Sequence, residues 1–395
     1  MASPVDTTVK HFFRAMSGAP VLNGQAGSMI AVLDACLVTG FDLKAATALT
    51  VAGGVATLTF SGTHSASLHA VILVEGVTGP LAGLNGEQKV THTAAGQLRF
   101  ATALADGTAA GTVTFKMAPA GWTKVFSGTN KAVYQSADPT STKMYVRVDD
   151  SFAETHCRLR GFEVMTDIDS GAGLFPTDAQ ISGGGYMAKA WSSDTTPVPW
   201  VLVADARGAY INITPYGASN PSAAAGRTCY LGDMSPLRPG GDPYAFSLGV
   251  SAGPGHTQAT GTCDTGESNG QYFPRSHVGL GVSLNHSVRS DVGSATSGMD
   301  DTRGVFPSPV DGSLLLSRRF AWEGMYPVPR AYFPGLYTVP QSDVGLYIAP
   351  GTVQAGGAPL GGRQLLALGC GASNNTFPSG NIGISFIDIT GPWVR

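Results

Sequence analysis

Residues 249–253 read Gly-Val-Ser-Ala-Gly, a G-x-S-x-G string. Such a string presents the serine nucleophile of a hydrolase when a strand leads into it and a helix follows. That sharp turn lifts the hydroxyl clear of the sheet. Here the continuation is GPGHTQATG, whose glycines and proline rule out a helix. Ser251 is therefore read as a loop serine, and no catalytic residue is assigned to the chain.

The other chemistry-bearing residues divide in the same way. Asp167 and Asp169 in DIDSG, residues 167–171, resemble the opening of a calcium loop. The EF-hand pattern needs further ligands, a Glu at its twelfth position and flanking helices. Position 178 is Asp and the flanks are strand-like. The expected structure is a turn in which Asp side chains accept backbone N–H bonds. The eight histidines contain no HExxH pair. His64 and His69 lie five apart in strand-like sequence and are expected on opposite faces. His156-Cys157 stands alone. The six glutamates are Glu75, Glu87, Glu154, Glu163, Glu267 and Glu323, and nothing in their spacing pairs two of them as a glycosidase would need. Trp322, Tyr326, Tyr332, Phe333, Tyr337, Tyr347 and Trp393 cluster late in the chain. They read as core aromatics first and as a sugar-binding or protein-binding surface second. No cofactor-binding residue, metal ligand or cofactor is expected.

Composition narrows the class. Charged residues make up 13% of the 395 residues, against about 25% in ordinary globular proteins, and hydrophobic residues 43%. Such a chain has much neutral surface, which burial against partners accommodates. A net charge of −3 gives no basic field for nucleic acid. Cys36, Cys157, Cys229, Cys263 and Cys370 are odd in number and scattered, so reduced, mostly buried thiols are expected. One disulfide remains compatible with that count. The start, MASPVDTTVKHFFRAMSGAP, has no continuous apolar h-region, and no stretch is long and apolar enough for a transmembrane helix. Synthesis in the cytosol without a membrane span is the expectation.

The elements that would position these residues are mainly β, in four segments. Residues 1–45 form an N-terminal docking segment with one helix near 28–39, capped by Ser28 and ended by Gly40. Residues 46–118 form a small β-sandwich or barrel module, with hairpin turns at Gly53-Gly54 and Ala95-Gly96. Residues 119–217 form a central β region that includes a hairpin around Arg207-Gly208. Residues 218–395 form a larger Gly/Pro-rich all-β domain, interrupted by a long polar stretch at 251–270 of the kind that is usually functional or mobile. At its end, Ile382, Ile384 and Phe386 alternate as one buried strand face. Ile389 is out of step, which predicts a bulge around Asp388, and a turn at Gly391-Pro392 should re-aim Trp393 into a core or under a neighbour.

Two groups of strings extend the reading beyond composition. VKHFFRAMSGAPVLNGQAGSMIAVLDACLVTGF and LNGEQKVTHTAAGQLRFATALADGTAAGTVTFKMAPAGW lie in the first third. YLGDMSPLRPGGDPYAF, DGSLLLS, RAYFPGLY and FIDITGPWVR form a C-terminal series from residue 230 onward. Together they resemble a family of tailed-bacteriophage virion structural proteins, over residues 9–395 and most weakly at 251–300. The resemblance implies a place in the virion, in the tail, baseplate or fibre-attachment apparatus, after synthesis in the cytoplasm of the bacterial host. It implies other virion proteins as partners, a homo-oligomer, and no reaction. The alternatives are a receptor-binding adhesin that recognises host surface glycan or pilus, a capsid decoration or head-fibre protein, and a polysaccharide depolymerase.

Overall fold

A computed structural model describes residues 3–218, 224–254, 262–263, 270–290, 304–323, 328–371 and 375–395. Strands account for 44% of the chain and helices for 7%, so the protein is mainly β.

The first β unit grows out of two local turns. Gly53 and Gly54 both take positive φ, 57° and 78°, as a two-residue hairpin turn requires, and join Phe41–Ala52 to Val55–Phe60. Ala95-Gly96 joins Gly86–Ala94 to Gln97–Ala101, with positive φ at Gly96 alone, 67°. Phe41–Ala52 is long enough to pair with Val55–Phe60 through its second half and with Thr114–Met117 through its first. Val71–Glu75 links Thr114–Met117 to Gly86–Ala94, so the strands close into a ring. Leu58, Phe60, Ile72, Val90, Phe100 and Phe115 belong to its buried interior.

The second unit is an antiparallel meander. Trp122–Gly128, Lys131–Ser136, Tyr145–Asp149, His156–Phe162 and Gly185–Ala188 pair in that order. The third is a 13-stranded sheet. It begins at Lys10–Phe13, which pairs with Trp200–Ala204, and continues through Gly208–Ile213 and Arg227–Asp233. Its far end runs through Gly383–Asp388 and Gln364–Cys370 to Val353–Ala355. The hairpin expected at Arg207-Gly208 joins Trp200–Ala204 to Gly208–Ile213. This sheet takes strands from residues 1–45, from 119–217 and from 218–395, so hydrogen bonding runs across two of the segment boundaries read from composition.

Both faces of its central strands are covered. Leu202, Ala209, Ile211 and Cys229 pack into the core shared with the two smaller sheets, and Val203, Tyr210 and Tyr230 into a second core with Phe333, Ile387 and Trp393. All residues of Gly208–Ile213 and Arg227–Asp233 are buried, and the hydropathic alternation of a one-sided sheet is lost there.

Three expectations are corrected. Ser28 does not cap the helix. The hydroxyl of Ser28 donates to the Asn23 carbonyl at 2.7 Å, and the Met29 N–H is taken by the Asp150 carboxylate at 2.9 Å. A full negative charge brought by tertiary folding displaces the local hydroxyl from that end. The helix is α over Ser28–Leu33 and widens to a π-helix over Asp34–Thr39 before ending at Gly40, φ 72°. Next, His64 and His69 do not alternate on a strand. They lie in the connection between Val55–Phe60 and Val71–Glu75, and His69 takes a left-handed φ of 67°. Finally, there is no bulge at Asp388. The ladder pairs one for one from Leu365↔Asp388 to Cys370↔Gly383, and the Ile389 N–H extends it to the Gln364 carbonyl at 2.9 Å. Ile387 and Ile389 are out of step with Ile384 and Phe386 because they face a second core on the other side of the same strand.

Candidate functional site

Each residue singled out for chemistry has a defined environment. Ser251 exchanges backbone hydrogen bonds with Tyr186, and its hydroxyl is folded back onto the Gly253 carbonyl at 3.1 Å. Residues 252–254 bend without a helical turn, and most of the polar stretch, 255–261 and 264–269 with Glu267, lies outside the described residues. DIDSG is a turn between Val164–Met165 and Gly171–Ala172. Asp167 accepts the Asp169 N–H at 2.8 Å, while the Asp169 carboxylate is held by Arg147 at 2.5 Å and Lys131 at 3.2 Å. Those two cations occupy the oxygens a calcium ion would need. Among the described residues no group of three or more His, Cys, Asp or Glu side chains forms a metal site.

Three of the six glutamates are bound to cations. Glu87 meets Lys10 at 2.9 Å, Glu163 meets Arg275 at 2.6 Å, and Glu323 meets Arg330 at 2.9 Å. Of the late aromatics, Phe333 and Trp393 are core residues, Trp322, Tyr332 and Tyr337 are half-buried, and Tyr347 is exposed. Tyr326 lies outside the described residues. The five cysteines are buried and unbridged.

Folding also brings Ser247 against His286, a contact with no trace in local sequence. Ser247 Oγ lies 3.0 Å from His286 Nε2 and 3.0 Å from Gln271 Oε1. The imidazole stacks on Phe273 with centroids 4.0 Å apart, and burial lowers its pKa to about 3. Both partners are enclosed in the core, so the pair serves as packing with its polar atoms satisfied.

A cavity of about 930 Å³ lies elsewhere, at the edge of the 13-stranded sheet. It forms where the two ends of that sheet come near one another. Lys10–Phe13 contributes His11 and Phe13. Opposite His11 stands Val203, and opposite Phe13 stands Val201. The Val201 neighbour on the next strand is Asn212, and all three elements line or border the same space. The far end contributes Val353 and Leu366, which pair with each other. The connection carrying Ser67, Leu68 and His69 covers one side, and Pro197, Val198, Pro199 and Trp200 another.

The polar groups of this cavity are few and placed within apolar walls. Asn212 is committed, donating to Thr228 at 2.8 Å and to the Gly369 carbonyl at 3.1 Å. His11 is 4% exposed, and its Nε2 lies 3.2 Å from Ser67 Oγ. Its Nδ1 is buried with no protein partner, as is Arg14 Nε. Burial, with help from the positive charge of Lys89, lowers the His11 pKa to about 3 and keeps the ring neutral. Burial and Lys89 also lower the His69 pKa. Among the described residues no Asp or Glu lines the space. An apolar cavity of this size with a few converging polar groups is the usual form of a ligand site. Sequence reading missed it because its walls come from segments separated by some 190 positions, such as His11 and Val203, each unremarkable alone.

No protein-family model matches the chain, and no curated protein matches it.

Proposed function

We propose that this chain is a structural component of a tailed-bacteriophage virion, in the tail, baseplate or fibre-attachment apparatus, and that it acts by protein–protein assembly in symmetric copies. The resemblance of residues 9–395 to virion structural proteins is one support. The other, which carries the reading, is a surface loop. Val278, Leu280 and Val282 are exposed by 59%, 71% and 71%, between strands Gln271–Phe273 and Leu284–Ser290. Gly279 and Gly281, with φ of 76° and 77°, hold the loop in a shape that turns the three side chains outward. Three large aliphatic side chains within five residues, in a chain this poor in charge, form an apolar knob suited to a protein contact.

Ser251 held in a turn, and Asp169, Glu163 and Glu323 held in ion pairs, support a structural role over a hydrolytic one. Immunogold labelling of particles from a phage that encodes the chain tests the assignment. Label on the tail end is expected, and label on the head alone moves the protein to a capsid decoration role. Val278→Ser, Leu280→Ser and Val282→Ser combined should leave the fold intact and lower incorporation into particles.

A further inference from the structure

We infer that the cavity beside Lys10–Phe13 binds a small amphipathic acid, an apolar body carrying one carboxylate or similar anionic group, with the Arg14 guanidinium receiving the acid. This is a separate activity from virion assembly and does not depend on it.

The walls set the body of the ligand. Phe13, Leu68, Val201, Trp200 and Leu366 are apolar or aromatic, and a volume of about 930 Å³ accommodates a ligand of several rings or a medium alkyl chain. The sign of the head group follows from charge. Arg14 lines the cavity, its buried Nε has no partner, and no described carboxylate pairs with it. Of the carboxylates around Lys10 and Lys89, Glu87 meets Lys10, Asp388 meets Arg363 at 3.1 Å, and Asp6 accepts from Thr8, with Asp6 and Asp388 both acting on Lys89. The positive field of Lys89 reaches both His11 and His69. An anion entering this space meets an uncompensated guanidinium, and a cation meets no counter-charge.

The test uses two fluorescent probes with the same N-phenylnaphthylamine body. 8-Anilinonaphthalene-1-sulfonate carries one anionic group, and N-phenyl-1-naphthylamine carries none. Binding of the sulfonate to the folded chain at one site, about tenfold or more tighter than the neutral probe, is expected from one charge-assisted contact. Decanoate should displace it, and decanol at the same concentration should not. Arg14→Gln should weaken the sulfonate about tenfold while leaving the neutral probe unchanged. Equal affinity for the two probes, equal displacement by decanol, or no saturable sulfonate binding would each overturn the inference. The decanoate and decanol comparison uses the unaltered protein, so it decides the question even where Arg14→Gln does not fold.

Discussion

Arg395 and Asp205 lie 190 positions apart in sequence and form a two-pronged ion pair, with Nη2 to Oδ1 at 2.9 Å and Nη1 on the other oxygen. Asp205 also accepts the N–H groups of Arg207 and Gly208, both at 2.8 Å, so one carboxylate holds the hairpin turn and the distant arginine together. The preceding residues are tied down as firmly. Trp393 is 6% exposed, donates its indole N–H to the Asp388 carbonyl at 2.8 Å, and meets Tyr210 edge to face at 5.5 Å. Ser235 donates to the Val394 carbonyl at 2.6 Å, and Lys89 from the small β unit donates to the Thr390 carbonyl at 2.6 Å. Residues 389–395 thus join three parts of the fold.

Removing that clasp should be costly. Trp393→Ala should destabilise the protein by about 3–5 kcal/mol, the range for a large aromatic removed from a core. Asp205→Ala should cost a similar ~3–5 kcal/mol, because it leaves the nearly buried Arg395 without its counter-charge. Urea unfolding followed by tryptophan fluorescence reads both. Loss below about 1 kcal/mol for either variant would show residues 391–395 to be an ornament on the fold.

Asp150 and Lys189 form an ion pair whose side chains are 0% exposed. Asp150 also caps the helix through Met29, and Lys189 also donates to the Gln25 carbonyl at 2.9 Å and the Phe152 carbonyl at 3.2 Å. Asp150→Ala leaves a buried ammonium and an uncapped helix, and should cost about 3–5 kcal/mol. Asp150→Leu combined with Lys189→Met removes both charges and should cost less than the sum of the two single changes. A double-mutant cycle in urea that came out additive would contradict the coupling.

Stability should fall on mild acidification through histidines. Burial lowers the pKa of His11 and His286 to about 3 and of His64 to about 4, from 6.5 in the unfolded chain. Between those values the unfolded chain binds protons that the native state does not. Stability is therefore full above about pH 6.5 and declines as pH falls toward 4, by roughly 1–2 kcal/mol per histidine at pH 5. His286→Asn should flatten that slope relative to the parent when unfolding midpoints are compared from pH 7.5 to 5. An unchanged slope would mean that His286 titrates with the same pKa in the folded and unfolded chain.

The thiols give a simple check of burial. All five cysteines are buried and unbridged, and burial raises the pKa of Cys36 and Cys157. A thiol reagent should react slowly with the native protein and with five groups once the chain is unfolded without reductant. Three or fewer reactive groups in the unfolded chain would reveal a bridge.

What the sequence made legible is what depends on near neighbours. Gly53-Gly54 and Ala95-Gly96 mark hairpins because positive φ is a local demand, and alternation of Ile382, Ile384 and Phe386 marks one buried face because side chains in a strand have a period of two. The second buried face of the same strand, with Ile387 and Ile389, was misread as a bulge because nothing local announces a core on both sides. The same limit hid the cap that Asp150 supplies to a helix 121 positions away, and the cavity beside His11. His64 and His69 were placed on a strand by their neighbours' composition, whereas the left-handed backbone at His69 and the contact of His64 with Asp42 at 3.7 Å are set by the packing of the loop.

The central claim is that this chain is a building block of a phage particle. The most direct measurement is quantitative mass spectrometry of gradient-purified, salt-washed virions from a phage that encodes it, with cross-linking before digestion. The claim predicts the chain in several copies per particle, at a fixed ratio to other tail proteins, with cross-links reaching residues near Val278–Val282. Washed infectious particles that lack the chain would contradict it.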